Sequence, residues 1–176
     1  KRFKPRVCID IGAHTGSFSD LLIEELDCKV ISFEPNHYSF KKLKQLKSKY
    51  GDKFYAYNYA ITNKNKKTFL YYGSKESQLA SLSKNLTKIN FIKKSNKNKM
   101  SIKGITLDSF FIKNKIKFKQ IDFIKIDTEG HEFEVLIGAK ETIKKYKPNF
   151  IQLEFNWHQL YKKNTLLMFH ELLNDY

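Results

Sequence analysis

The first fifty residues alternate twice between a strand-like and a helix-like apolar pattern, and this alternation limits the fold more than any other feature of the chain. Residues 6–11 (RVCIDI) form a β-branched run, and after a glycine-punctuated loop residues 17–26 place apolar side chains at 18, 21, 22 and 26, one face of a helix. Residues 29–34 (KVISFE) repeat the strand pattern. Asn36 can then cap a helix running to about residue 49, with Phe40, Leu43 and Leu46 as its apolar stripe. Strands separated by helices need crossover connections, so this order implies a parallel sheet.

The remainder continues the theme. Residues 54–61 read as a third strand and 67–72 as a further strand or hairpin arm, while 73–100 are polar, rich in Ser, Asn and Lys, and expected to be a long surface excursion. Residues 106–111 start a helix and 121–127 are a strand interrupted by Lys125. Residues 129–146 read as one helix through the apolar positions 133, 136, 137 and 143. Pro148 ends it, 149–155 are a fifth strand, and 165–173 a final helix. The expectation is a doubly wound α/β fold, a mostly parallel sheet with helices on both faces. At 176 residues the chain suits one domain, taken as residues 1–176.

No apolar run approaches the ~20 residues that span a bilayer, and the N-terminus (KRFKPRVCID) lacks the apolar stretch of a signal peptide. Cys8 and Cys28 show neither CxxC nor Cys/His spacing, which suggests neither a disulfide framework nor a zinc site. A cytoplasmic location is expected. The chain begins at Lys1 and stops at Tyr176 without a closing signal, which fits a piece of a longer protein. Its net charge of +15 is concentrated: residues 41–119 carry 21 lysines against Asp52, Glu76 and Asp108. Only Arg2 and Arg6 are arginine, the residue that phosphate and base-edge recognition favours. The basic segment therefore reads either as solvated surface or as a face toward nucleic acid, anionic glycan or membrane.

The chemistry is concentrated at strand ends. The first strand closes in DIGAHTG (10–16), where Gly12, Ala13 and Gly16 permit a tight turn and Asp10 places a carboxylate at the strand's C-terminal edge. The spacing is neither GxGxxG nor GxxxxGK[ST], so the dinucleotide and P-loop readings both fail. Glu34, followed by Pro35, closes the second strand, where an acidic side chain can accept both ribose hydroxyls of an adenosine-containing ligand. Together these two strand ends point to S-adenosylmethionine. A third cluster, KIDTEGHE (125–132), gathers Asp127, Glu129, His131 and Glu132 at the same edge. HExxH is not completed, because position 135 is Val135.

These pieces, with FEP (33–35), TLDSF (106–110), FIKIDTEGHEFEVLIGA (123–139) and KPNFIQLE (147–154), resemble the FkbM-type S-adenosylmethionine-dependent methyltransferases. The resemblance implies a Rossmann-like class I methyltransferase fold and O-methylation of a hydroxyl on a sugar, glycan or other small molecule. Chains typical of that family carry two more strands beyond the last helix here. On this reading Asp10, Gly12, Ala13, Gly16, Glu34 and Pro35 serve the cofactor. Asp127 is the first candidate for base or acceptor orienter and His131 the second; Lys125, of the same strand parity as Asp127, pairs with a carboxylate. Asp127, Glu129 and Glu154 could hold Mg²⁺, although metal independence is favoured. Trp157, His158 and Tyr161 could wall the acceptor pocket, and 73–100 could close over it as a lid. Competing readings are an RNA 2′-O-methyltransferase that uses the basic segment, and a methyltransferase-like basic binding module without chemistry.

Overall fold

A computed structural model describes residues 4–83 and 96–174. Its elements are β1 (Val7–Ile11), α1 (Ser17–Leu26), β2 (Lys29–Phe33), α2 (His37–Leu43), α3 (Leu46–Tyr50), a 3₁₀ turn (Gly51–Lys53), β3 (Phe54–Tyr57), β4 (Ala60–Ile61), β5 (Lys66–Tyr72) and β6 (Asn98–Ile105). There follow α4 (Leu107–Lys113), β7 (Phe123–Ile126), α5 (Glu132–Ile137), α6 (Lys140–Tyr146), β8 (Phe150–Leu153), α7 (Trp157–Lys162) and α8 (Leu166–Leu172).

Five strands form one sheet in the order β3-β2-β1-β7-β8, with every pairing parallel. The order reverses between β1 and β7, which leaves a crevice at the C-terminal edge. β1 is central and buried along its whole length. Its side chains alternate between two cores. Val7, Ile9 and Ile11 pack with Phe33, Ile124, Ile126, Phe110 and Leu136, whereas Cys8 joins Val30, Leu22, Ile23, Leu43 and Phe54 on the opposite face. Two-sided burial explains why β1 reads as a continuous apolar run. No helix among the described residues is long and apolar enough to cross a membrane.

Four expectations need correction. The single helix expected from Asn36 to about residue 49 is two, α2 and α3, separated by a turn at Lys44 and Gln45. Residues 54–61 are two strands, because the chain turns at Asn58, whose Nδ2 donates to the Glu34 and Pro35 carbonyls at 2.8 and 3.1 Å. β4 then enters a separate three-stranded sheet, β4-β6-β5. The polar excursion is also partly sheet: Asn98 to Met100 pair antiparallel with Leu70 to Tyr72, while residues 84–95 lie outside the described residues. β6 is half-buried by alternation, and its interleaved lysines mask it in the sequence. Finally, 129–146 is two helices. The two meet at Gly138 and Ala139, and a Cβ at Gly138 would lie 2.0 Å from the Thr62 carbonyl oxygen, so the close approach of the β4 loop requires glycine there. α7 was not expected at all. Among the described residues the large sheet ends at β8.

Candidate active site

The crevice at the C-terminal edge of the large sheet is a cleft of about 360 Å³, into which the ends of β1, β2, β7 and β8 all deliver side chains. Gly12, Ala13, Glu34, Pro35, Lys125, Asp127, Glu129 and Glu154 line it. Asp10, Gly16 and His131 do not. The apolar part of the wall comes from Ile11, Phe33, Ile61, Leu70 and Leu82, and Ser77 and Gln78 close one side.

At one end stands Glu34, only 7% exposed. Its Oε2 accepts from the His14 backbone N–H at 2.8 Å and its Oε1 from that of Asn36 at 2.7 Å. Each oxygen therefore keeps a lone pair for a second donor. Burial pushes the Glu34 carboxyl up to about 7, against the opposing pull of those two amides. The adjacent loop is shaped by the protein itself. The Gly12 and Ala13 amides both donate to the Phe33 carbonyl at 3.0 Å. A Cβ on Gly12, whose φ is +83°, would stand 1.7 Å from the Asp127 carbonyl oxygen. Glycine is thus required there by the chain just past β7. Gly16, which caps α1 at φ +99°, faces Leu43 and Leu46.

At the other end Asp127 leaves β7 just past its last paired residue, with its N–H donating to the Ile11 carbonyl at 3.0 Å. Lys125 Nζ lies 3.0 Å from Asp127 Oδ2 and 3.6 Å from Asp10 Oδ1. The parity argument for a carboxylate partner is met twice. Asp10 is wholly buried and pairs in register with Lys125 and Ser32, while its Oδ2 accepts from the Ser19 hydroxyl at 2.6 Å. It supports Lys125 from below the cleft, and burial raises its carboxyl above the ordinary range.

The segment after Asp127 owes its shape to Glu132, fully buried at the start of α5. Its Oε1 accepts from the Thr128 N–H at 2.8 Å, the Thr128 hydroxyl at 3.0 Å and the Gly130 N–H at 3.2 Å. Gln159 of α7 donates to its Oε2. Lys162, also of α7, donates to the Gly130 carbonyl at 2.8 Å. Glu129 consequently sits outside any helix, in the left-handed region at φ 54°. His131 is directed elsewhere: its Nε2 lies 2.8 Å from the Thr62 hydroxyl, and burial lowers it to about 4. The second candidate base is therefore displaced from the cleft.

Of the three carboxylates considered for a cation, Glu129 and Glu154 do converge, but their companion is His158 and not Asp127. Burial pushes Glu129 up to about 8 and Glu154 up to about 7, and in both cases the neighbouring carboxylates add to the effect. His158 is 2% exposed and lowered to about 4 by burial. Tyr161 points outward at 58% exposure, and neither it nor Trp157 lines the cleft. Sequence reasoning placed Glu132 at this edge without its role in shaping the loop, and it missed Ser19, Gln159 and Lys162, whose bonds join separate elements.

A model of the methyltransferase FkbM domain matches residues 10–175. The chain belongs to the FkbM methyltransferase family. Its fold is similar to that of a crystal structure of methyltransferase FkbM from Methylobacillus flagellatus KT, with a TM-score of 0.61 and 19% identity. That likeness covers 99% of this chain and 38% of the other, so the FkbM domain described here spans well under half of that relative's length. No curated protein matches the chain. Within the FkbM domain the match includes both ends of the cleft, from Asp10 through Glu34 and Asp127 to Glu154.

Proposed function

We propose that this FkbM domain, residues 1–176 acting as one unit, transfers a methyl group from S-adenosylmethionine to a hydroxyl of a sugar, glycan or other small molecule. The observation that carries this reading is one cleft with two unlike ends. Glu34 has a free lone pair on each oxygen at one end, and the Lys125–Asp127 pair lies at the other.

The residues present suit the cofactor. Glu34 would accept the two ribose hydroxyls, the apolar wall of Phe33, Leu70 and Leu82 would flank the base, and the Gly12–Ala13 turn would border the amino acid end. Asp10 and Gly16 would support this set without contact. The bound sulfonium supplies an electrophilic methyl carbon and a good leaving group.

The protein's own task is to align the acceptor oxygen and to take its proton during attack. Asp127, partly open to the cleft, would accept that proton on a carboxylate oxygen. Lys125, anchored from beneath by Asp10, fixes the orientation of Asp127. The test is S-adenosylhomocysteine release with a panel of hydroxylated acceptors, together with calorimetric binding of S-adenosylhomocysteine. Absence of both binding and turnover overturns the reading.

A further inference from the structure

We propose that Glu129, Glu154 and His158 form a binding site for one divalent cation of the Mn²⁺ or Zn²⁺ class in the wall of the cleft. Each offers one donor atom, and these atoms lie within 4.8 Å of one another. Ligands around a tetrahedral ion with bonds of about 2.1 Å stand roughly 3.4 Å apart, so side-chain movements of about 1 Å complete the site.

The tautomer of His158 points the same way. Asn156 Nδ2 donates to Glu154 Oε1 at 2.7 Å, and a carboxylate oxygen accepting there fixes the orientation of the amide. Asn156 Oδ1 then faces two groups of His158: the backbone N–H, at 2.9 Å, and Nδ1. The Nδ1 atom must carry the hydrogen, which leaves a lone pair on Nε2. That lone pair faces Glu129 Oε2 at 3.2 Å. Two acceptors in contact need a cation or a proton between them. A second, separate observation favours the cation: Glu154 Oε2 is buried with no hydrogen-bond partner among the described residues. One metal ion serves all three donors at once, whereas protons would have to sit separately on Glu129, facing His158, and on Glu154, facing Asp127.

The arrangement is that of a metal-ligating histidine whose other ring N–H is held by an outer partner. Asn156 is that partner for His158 and simultaneously braces Glu154. A nitrogen donor selects a borderline transition metal over Mg²⁺, which prefers an all-oxygen shell. Because Glu129 and Glu154 line the cleft, an acceptor hydroxyl could complete the coordination. That role rests on the methyltransferase reading. Cation binding itself does not.

The experiment uses the complete chain freed of metal by a chelator and titrated with Mn²⁺, the free ion being followed by electron paramagnetic resonance. One ion per chain is expected, displaced by Zn²⁺ but not by a hundredfold excess of Mg²⁺. Glu154→Gln and His158→Gln should each weaken binding at least tenfold, and His170→Gln on α8 should leave it unchanged. Zn²⁺ soaked into crystals of the unmodified chain should give anomalous density between the three side chains, a readout that needs no variant to fold. Lack of Mn²⁺ binding, unchanged affinity in His158→Gln, or anomalous density elsewhere only, overturns the proposal. S-adenosylhomocysteine binding, measured on the same preparation, separates that failure from failure of the methyltransferase reading.

Discussion

Single side chains carry the sharpest expectations. Glu34→Ala removes a charged acceptor from two ribose hydroxyls and should weaken S-adenosylhomocysteine binding by about 1.5–3 kcal/mol, read by calorimetry. The same residue gives a pH signature. Its carboxyl titrates near 7 in the fold against an ordinary 4.5, so the folded chain retains a proton that the unfolded chain releases between those values. Stability from this group is present below pH 4.5 and is lost as pH rises through 7. Cofactor binding should run the opposite way, because ribose donors favour the ionised form. Affinity should increase between pH 6 and 8, by at most about tenfold per unit below 7, and Glu34→Gln should flatten the profile. Asp127→Asn should lower turnover by roughly 10²–10⁴-fold, the range for general base catalysis, with cofactor affinity nearly intact. A parallel collapse of cofactor affinity would reassign Asp127 to the cofactor.

The elements set the spacing between those side chains. The β1–α1 loop and the end of β7 are in backbone contact at Gly12, so Gly12→Ala should destabilise the fold by at least about 1–3 kcal/mol, the cost of comparable backbone strain. Urea unfolding measures this, and an unchanged midpoint would contradict the close approach of the Asp127 carbonyl. The segment 73–83 is tied to the loops that follow β1 and β2. Glu76 O lies 3.1 Å from His14 Nε2, and Lys75 O accepts from Asn36 Nδ2 at 2.8 Å. Because Ser77 and Gln78 line the cleft, hydrogen exchange in this segment should slow on S-adenosylhomocysteine binding. Identical exchange in both states would make it a passive loop.

At the scale of the molecule the charge remains to be placed. Lys66, Lys67, Lys99 and Lys103 are exposed on the small sheet, and Lys99 lies over the exposed Phe69 ring at 5.2 Å. These are point charges without the planar fork of arginine, suited to loose attraction of polyanions. RNA binding in a gel shift should be strong only at low salt and fall by orders of magnitude between 50 and 200 mM. Added RNA should be neither methylated nor inhibitory toward a small acceptor. Methyl incorporation into RNA would favour the 2′-O-methyltransferase reading instead.

What the sequence determined by itself is what local pattern encodes. The strand-helix alternation of the first fifty residues dictated the parallel sheet, the DIGAHTG and FEP strand ends marked one end of the cleft, and the parity of Lys125 with Asp127 foretold an ion pair. These are relations between near neighbours, or consequences of periodicity. The tertiary structure decided the rest. Periodicity joined residues 129–146 into one helix, and the requirement for glycine at 138 comes from the Thr62 carbonyl, far away in sequence. β6 looked polar because its lysines alternate with Met100 and Ile102, whose burial depends on β5 and Leu82 beneath. His131, expected beside the cleft, turns to Thr62, and His158 is aimed by Asn156 at Glu129. α7 is capped locally by Asn156 and held in place by bonds from Gln159 and Lys162 to the α5 start and the Gly130 carbonyl. Contacts of long sequence separation leave no periodicity, and so no trace that local reading can find.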